Sequence, residues 1–291
     1  MVVKQQHSEN KSKVVSPLIL DGVQSMAPPP LAVTRLMEIL SREFHTEEVI
    51  EVMQTDPALI ASVLKKCNTA FFSQRGGVTS LRQAIQLLGT SMIMSMVLEL
   101  TVGENLNKGL LNYGISAANL QKHSLCVAVC SNELTKFCGI LPFTVDTAFT
   151  AGLLHDIGKI VIDDVLTAKG LNILESKERS EKSMFELERE FVGTDHAEVG
   201  ALVLDWWKFP GFFCEAIGQH HAPLGRSQLA HLLHIANRCA YSIEVGDNGQ
   251  SILNNLSVES LSSVAITYKE VEAASECAHH SIEERYHSLI S

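Results

Sequence analysis

Apolar residues along this chain recur at helical spacing through most of its length. After the proline run at 28–30, Val33, Leu36, Met37 and Leu40 fall at i, i+3, i+4 and i+7, the stripe of an amphipathic helix. Thr46 followed by Glu47 and Glu48 predicts a second helix with Thr46 as N-cap and acids in its first turn. Asp56-Pro57 opens a third, with the stripe Leu59, Ile60, Val63 and Leu64. FFSQRGGVTS (71–80) reads as a loop, SLRQAIQLLG as a helix stopped by Gly89, and Met92, Ile93, Met96, Val97 and Leu100 as one more. No alternating strand pattern competes.

The second half continues in the same period. A long helix over about 116–137 puts His123, Val127, Cys130 and Leu134 on one face. A helix through LLHDIGK follows, and the charged stretch 176–183 reads as a solvated loop or helix start. His196 shares a face with Val199, Gly200, Val203 and Trp207, and a helix begun at Pro210 carries Phe213, Ile217 and His220 inward. The stripe Leu229, Leu233, Ala236, Asn237 and Ala240 ends this half, and two weaker polar helices follow Gly246. The expected fold is therefore all-α. An irregular lead (1–19) precedes a five-helix subdomain (20–108), a second helical subdomain (109–245) and a helical extension (246–291).

Composition narrows the function. A formal charge of −10 disfavours nucleic-acid binding, which needs a basic surface. The seven cysteines are scattered without a CxxC pair, as in packing residues of a reducing cytoplasm. The most apolar run, 91–100, is too short to span a bilayer and carries Glu99. No glycine-rich phosphate loop and no GxSxG elbow occurs. A cytoplasmic protein without a membrane segment is the expectation.

The chemistry concentrates at His155-Asp156, delivered by an apolar run into what should be the interior. A buried carboxylate is costly without a partner, and a divalent cation is the natural one. His123, His196 and His220 each fall on the inward stripe of a separate element, with His221 beside the last. Neutral imidazole and carboxylate without thiolate suit Fe, Mn, Zn or Ni, as one ion or two bridged by Asp156. Two such ions hold a water and clamp a phosphoryl oxygen. Lys159, one turn past His155, is either a phosphate contact or an exposed helix lysine. His231 and His234 read as core histidines bonded to backbone carbonyls.

Three blocks carry a resemblance to a known family: APPPLAVTRLMEILS; DPALIASVLKKCNTAFFS with SLRQAIQLLG; and LLHDIGKIV with DHAEVGALVLDWW and HHAP. Over roughly residues 20–245 the sequence resembles the HDOD (HD-related output domain) family of the HD metal-dependent phosphohydrolase superfamily. The resemblance implies that His155-Asp156 is the HD doublet of an HD-like half, with His123, His196, His220 and His221 as further metal-site histidines. The superfamily's final aspartate falls at Asn237, whose amide oxygen is a weak ligand without charge. The GYP loop of cyclic-di-GMP phosphodiesterases is also absent after His221. The implied function is a bacterial signalling module with a protein partner, a nucleotide or phosphate ligand, and little or no catalysis. The alternative is a metal-dependent phosphohydrolase on a nucleotide or phosphodiester, with Asp156 and Lys159 in catalysis. A third reading is an ion that only stabilises the fold.

Overall fold

The computed structural model describes residues 16–70, 78–106, 109–178, 180–223, 225, 227–246 and 256–283. Most of the lead, residues 71–77 of the stretch expected to be a loop, and the segments 247–255 and 284–291 lie outside the described residues. Six helices fill the N-terminal part: α1 (Pro17–Ser25), α2 (Leu31–Leu40), α3 (Thr46–Met53), α4 (Pro57–Ala70), α5 (Leu81–Leu88) and α6 (Thr90–Leu106). The part expected to be the HD-like half comprises α7 (Ala117–Thr135), α8 (Val145–Leu154), α9 (Gly158–Ala168), α10 (Ile173–Glu178), α11 (Met184–Val192), α12 (His196–Trp206), α13 (Gly211–Gly218) and α14 (Gln228–Val245). Two more, α15 (Val258–Ser263) and α16 (Tyr268–Ser281), close the described chain. Among the described residues the only strand-like feature is an isolated bridge between Leu110 and Ile115, so the fold is all-α.

Local signals set most helix starts. The Asp56 carboxylate accepts from the Leu59 amide at 3.0 Å, and Ser116, Thr144 and Asp195 cap α7, α8 and α12 in the same way. The α3 start differs from expectation by one residue. His45 occupies the cap position, and the Glu48 carboxylate accepts its backbone N–H at 3.0 Å, leaving Thr46 inside the first turn.

Helix α1 was not expected, and residues 17–19, read as irregular lead, form its first turn. It buries Ile19 and Val23 and packs against α9 and α12, so it belongs to the wall of the HD half. Helices α2 and α6 meet α8. The Leu40 carbonyl at the end of α2 accepts from the hydroxyls of Thr144 at 2.7 Å and Thr147 at 2.6 Å, while Ser91 on α6 donates to Asp146 at 2.6 Å. The apolar run 91–100 lies in α6 with Met92, Ile93, Met94, Met96 and Val97 buried. Among the described residues no single helix is long and apolar enough to cross a membrane.

Two glycines bring the helices of the HD half into backbone contact. A methyl group at Gly152 would lie 2.6 Å from the Cα of Ala128, so α8 rides directly on α7. At Gly158 it would overlap the His196 carbonyl and lie 2.5 Å from the Gly200 nitrogen, so α9 rides on α12. His155 and Asp156 sit between these two contacts. The sequence suggested one continuous helix through this stretch; instead α8 stops at Leu154 and α9 restarts at Gly158.

Candidate metal centre

The break between α8 and α9 places His155 and Asp156 in the interior, 1% and 2% exposed. The last carbonyls of a helix lack intrahelical partners. His155 uses one: its Nδ1 donates to the Gly152 carbonyl at 2.8 Å. His220, two residues beyond α13 rather than on it, does the same with Ile217 at 2.7 Å. An imidazole donating from Nδ1 keeps its lone pair on Nε2. In both residues that Nε2 is buried and makes no hydrogen bond.

His196 is the first residue of α12, capped by Asp195, which pairs with Arg189 at 2.6 Å. Its Nδ1 and its backbone N–H both point at Glu188, at 2.7 Å each. Glu188 on α11 is fully buried and also accepts from the Tyr113 hydroxyl at 2.8 Å. His123 comes from α7, with Nδ1 3.0 Å from the Glu244 carboxylate of α14.

These side chains converge on Asp156. Its Oδ2 lies 3.4 Å from His155 Nε2, 3.7 Å from His123 Nε2 and 2.5 Å from Lys159 Nζ. Its Oδ1 lies 3.2 Å from His196 Nε2, which in turn is 2.6 Å from His221 Nε2. The potential ligand atoms form two sets, His123/His155/Asp156 and His196/His220/His221, each with all its atoms within 4.8 Å of one another. The carboxylate of Asp156 stands between the two.

Electrostatics prepare the donors. Burial pushes His155 down to about 4 and holds His220 and His221 well below the ordinary histidine value, so all three are neutral at pH 7. Burial opposes ionisation of Asp156 too, yet the Lys159 ammonium and the protonated His196 hold its carboxyl well below the usual range. For His196 burial again lowers the value, but Glu188 outweighs it with help from Asp156, lifting the imidazole to about 9.

A divalent cation fits this arrangement. His155 Nε2 and His220 Nε2 are buried acceptors without hydrogen bonds, each costly when left so, and Asp156 Oδ1 meets only His196 Nε2 at 3.2 Å. All of these belong to one cluster of nitrogen and oxygen donors, the set that Fe, Mn, Zn or Ni takes. The Nδ1 atoms of His123, His155, His196 and His220 are held by carbonyls or carboxylates, as those of metal-ligating imidazoles usually are.

Above the cluster opens a cavity of about 760 Å³. His123, Asp156, Lys159, His196, His221 and Asn237 border it. Every ligand expected from the sequence is therefore in the cluster or its cavity. Lys159 is neither exposed nor free but paired with Asp156. His231 bonds to the Gly225 carbonyl at 3.4 Å and to Ser260 at 3.0 Å, and His234 bonds to the His220 carbonyl at 3.0 Å and borders the cavity, closer to the centre than its helix stripe suggested.

Sequence reading missed Glu188 and Glu244. Glu188 had a signal: Met184, Leu187, Glu188 and Phe191 form an i, i+3, i+4, i+7 stripe, with an acid on its apolar face. Glu244 had another, lying seven residues and thus two turns beyond Asn237 on the same face of α14.

Residues 26–223 match the family model of the HDOD domain. The chain belongs to the HDOD family. Solved structures share the fold at low identity. An HDOD domain protein with unknown function from Geobacter sulfurreducens aligns at TM-score 0.63 and 20% identity, covering 92% of this chain and 96% of that one. A protein named "Putative phosphohydrolase" from Shewanella amazonensis SB2B gives 0.65 and 23%, covering 91% and 94%. One named "Putative signal transduction protein" from Marinobacter aquaeolei VT8 gives 0.73 and 17%, covering 93% of this chain and 61% of that one. A curated relative, an uncharacterised protein of Treponema pallidum (strain Nichols), is 19% identical over 202 residues. That match takes in 69% of this chain but only 38% of the relative's length.

Proposed function

We propose that this HDOD chain is a signalling module whose HD half holds one or two divalent ions and turns over substrate little or not at all. The observation that carries the reading is the convergence of His123, His155 and His196 on the two oxygens of Asp156, with His220 and His221 grouped around His196 and the buried Nε2 atoms of His155 and His220 unsatisfied. Fe, Mn, Zn and Ni are the candidate metals by donor type. Asn237, where an aspartate would add charge, supplies an amide oxygen at most, which weakens the case for catalysis. The similarly folded Marinobacter protein is named for signal transduction, in keeping with this role.

The cavity above the centre suits an anion. Lys122, Lys159, Lys177 and Arg238 reach it from four different helices, in a chain whose overall charge is −10. A nucleotide or phosphate ester is the proposed ligand. The N-terminal bundle (20–108) is the proposed docking half for a protein partner in the cytoplasm. Its contact to the site runs through the Leu40 carbonyl and α8, whose far end leads into His155.

Retention of the full histidine set favours a second reading, a metal-dependent phosphohydrolase. A bound divalent ion supplies Lewis acidity toward a phosphoryl oxygen. Within the chain, Lys159 would release Asp156 to meet the phosphate, and the buried Nε2 atoms of His155 and His220 would orient the ion-holding face. Elemental analysis of wild type against a His155→Ala/Asp156→Ala double variant tests the shared premise, with stoichiometric metal expected only in wild type. A panel of nucleotides and phosphate esters then separates the readings. The signalling reading expects no turnover above the double variant, and expects activity, if any, to emerge in Asn237→Asp. Robust wild-type turnover lost in His155→Ala would replace it with the enzyme. Absence of metal after reconstitution would remove both.

A further inference from the structure

We propose that Glu244 is a positioning residue of the centre: it fixes the ring of His123 and returns, one layer out, the negative charge that Asn237 does not bring. The inference rests on the metal-holding reading above. His155 and His220 lie just past helix ends, where free carbonyls fix their Nδ1 atoms. His196 has Glu188. His123 has no such local device, because it sits within α7, where the carbonyls are spent on the helix.

Glu244 supplies what is missing from another helix. Its two carboxylate oxygens lie 3.0 and 3.2 Å from His123 Nδ1. That contact makes Nδ1 the donor and leaves Nε2, 3.7 Å from Asp156 Oδ2, as the ligand atom. A carboxylate behind a ligating imidazole also raises its basicity, and its loss costs about 10–100-fold in metal affinity. Asn237 and Glu244 stand two turns apart on one face of α14 and border the same cavity, so one helix face carries both the deficit and its remedy.

The C-terminal helix α16 packs across α7 and α14, the two helices that carry this pair. A smaller cavity of about 210 Å³ beside the centre is bordered by Lys122 and Glu244 together with His279 and Glu283. Both α14 and α16 lie beyond the residues matched by the family model. Bracing the Glu244–His123 pair gives the C-terminal extension a defined task.

The test uses the full chain as wild type, Glu244→Gln and Glu244→Ala, with cobalt(II) as the probe. The tautomer of His123 is read by nitrogen NMR on the metal-free proteins, and cobalt affinity by competition with a chelator. Wild type should show a proton on His123 Nδ1 held in a hydrogen bond to the Glu244 carboxylate. Glu244→Ala should show mixed tautomers and bind cobalt about 10–100-fold more weakly, with an altered visible spectrum. Glu244→Gln should keep the tautomer, since its amide oxygen accepts the same bond, yet bind more weakly than wild type for want of charge. Wild-type tautomer and affinity in Glu244→Ala would overturn the proposal, as would wild-type affinity in Glu244→Gln if the alanine variant does not fold. Should wild type bind no cobalt, the metal reading falls, and the tautomer comparison still decides whether Glu244 orients His123.

Discussion

Gly158 is the residue whose smallest change should open the centre. Replacing it with alanine puts a methyl carbon over the His196 carbonyl and 2.5 Å from the Gly200 nitrogen, both backbone atoms of α12. Carbon contacts settle at about 3.5–4.0 Å, so α9 and α12 must separate by roughly 1 Å. Overpacking of this kind costs about 1–3 kcal/mol, within the roughly 5–15 kcal/mol that keeps a domain folded. The centre tolerates far less. Asp156 stands two residues before Gly158 and His196 on the opposing helix, with 3.2 Å between Oδ1 and Nε2. Metal ligands must hold their distances to within about 0.2 Å. Gly158→Ala should therefore lower the melting temperature modestly and weaken metal binding by at least about tenfold, the lower bound for a displaced supporting group. Gly211→Ala is the control, because a methyl there meets nothing within 4 Å. The measurement is metal content after dialysis against a graded chelator, beside thermal melts of the metal-free forms. A Gly158→Ala protein that melts lower but binds metal with wild-type affinity would refute the claim that the α9–α12 contact sets the ligand geometry.

Two further outcomes follow from the groups around His196. Without an ion its imidazole is raised to about 9, so it is protonated at pH 7.5, while His155, His220 and His221 are already neutral. Binding an ion at its Nε2 must expel that proton, so calorimetry in buffers of different ionisation enthalpy should find about one proton released at pH 7.5 and progressively fewer as the pH passes 9; zero release at pH 7.5 would refute a protonated His196 that gives up its proton to become a ligand. Tyr113→Phe removes one hydrogen bond to Glu188 and should cost about 1 kcal/mol in urea unfolding. Glu188→Ala breaks a buried charged pair with His196 and should cost about 3–5 kcal/mol; equal effects from the two variants would mean that Glu188 is not the hub of this network.

Ligands and their supports were unequally legible in the sequence. The helices announced themselves wherever apolar residues kept the 3.6-residue period, and the histidines by type and by place on inward stripes. Helix α1 escaped because its partners, α9 and α12, lie far along the chain and its own nine residues carry little pattern beyond an apolar cluster. The interruption at His155-Asp156 escaped for a related reason. Nothing in LLHDIGK forbids a continuous helix, and the close approach of Gly158 to the backbone of α12, just past the break, is not visible in the local pattern.

The buried carboxylate of Glu188 shows why the supporting layer is harder to read. In MFELEREFV it is one acid among three, and exposure is the ordinary fate of such a residue. Only Tyr113, 75 residues earlier, and His196, eight residues later, make its burial tolerable, and neither is implied by the local pattern. A ligand in a centre of this kind is most often a histidine or an acid, so its type narrows the search. A supporting group need only present an oxygen at the right place, as the Gly152 and Ile217 carbonyls do for His155 and His220. Its identity lies in the helix packing, which is why the acid on the apolar stripe of α11 is the more informative departure from pattern than any single histidine.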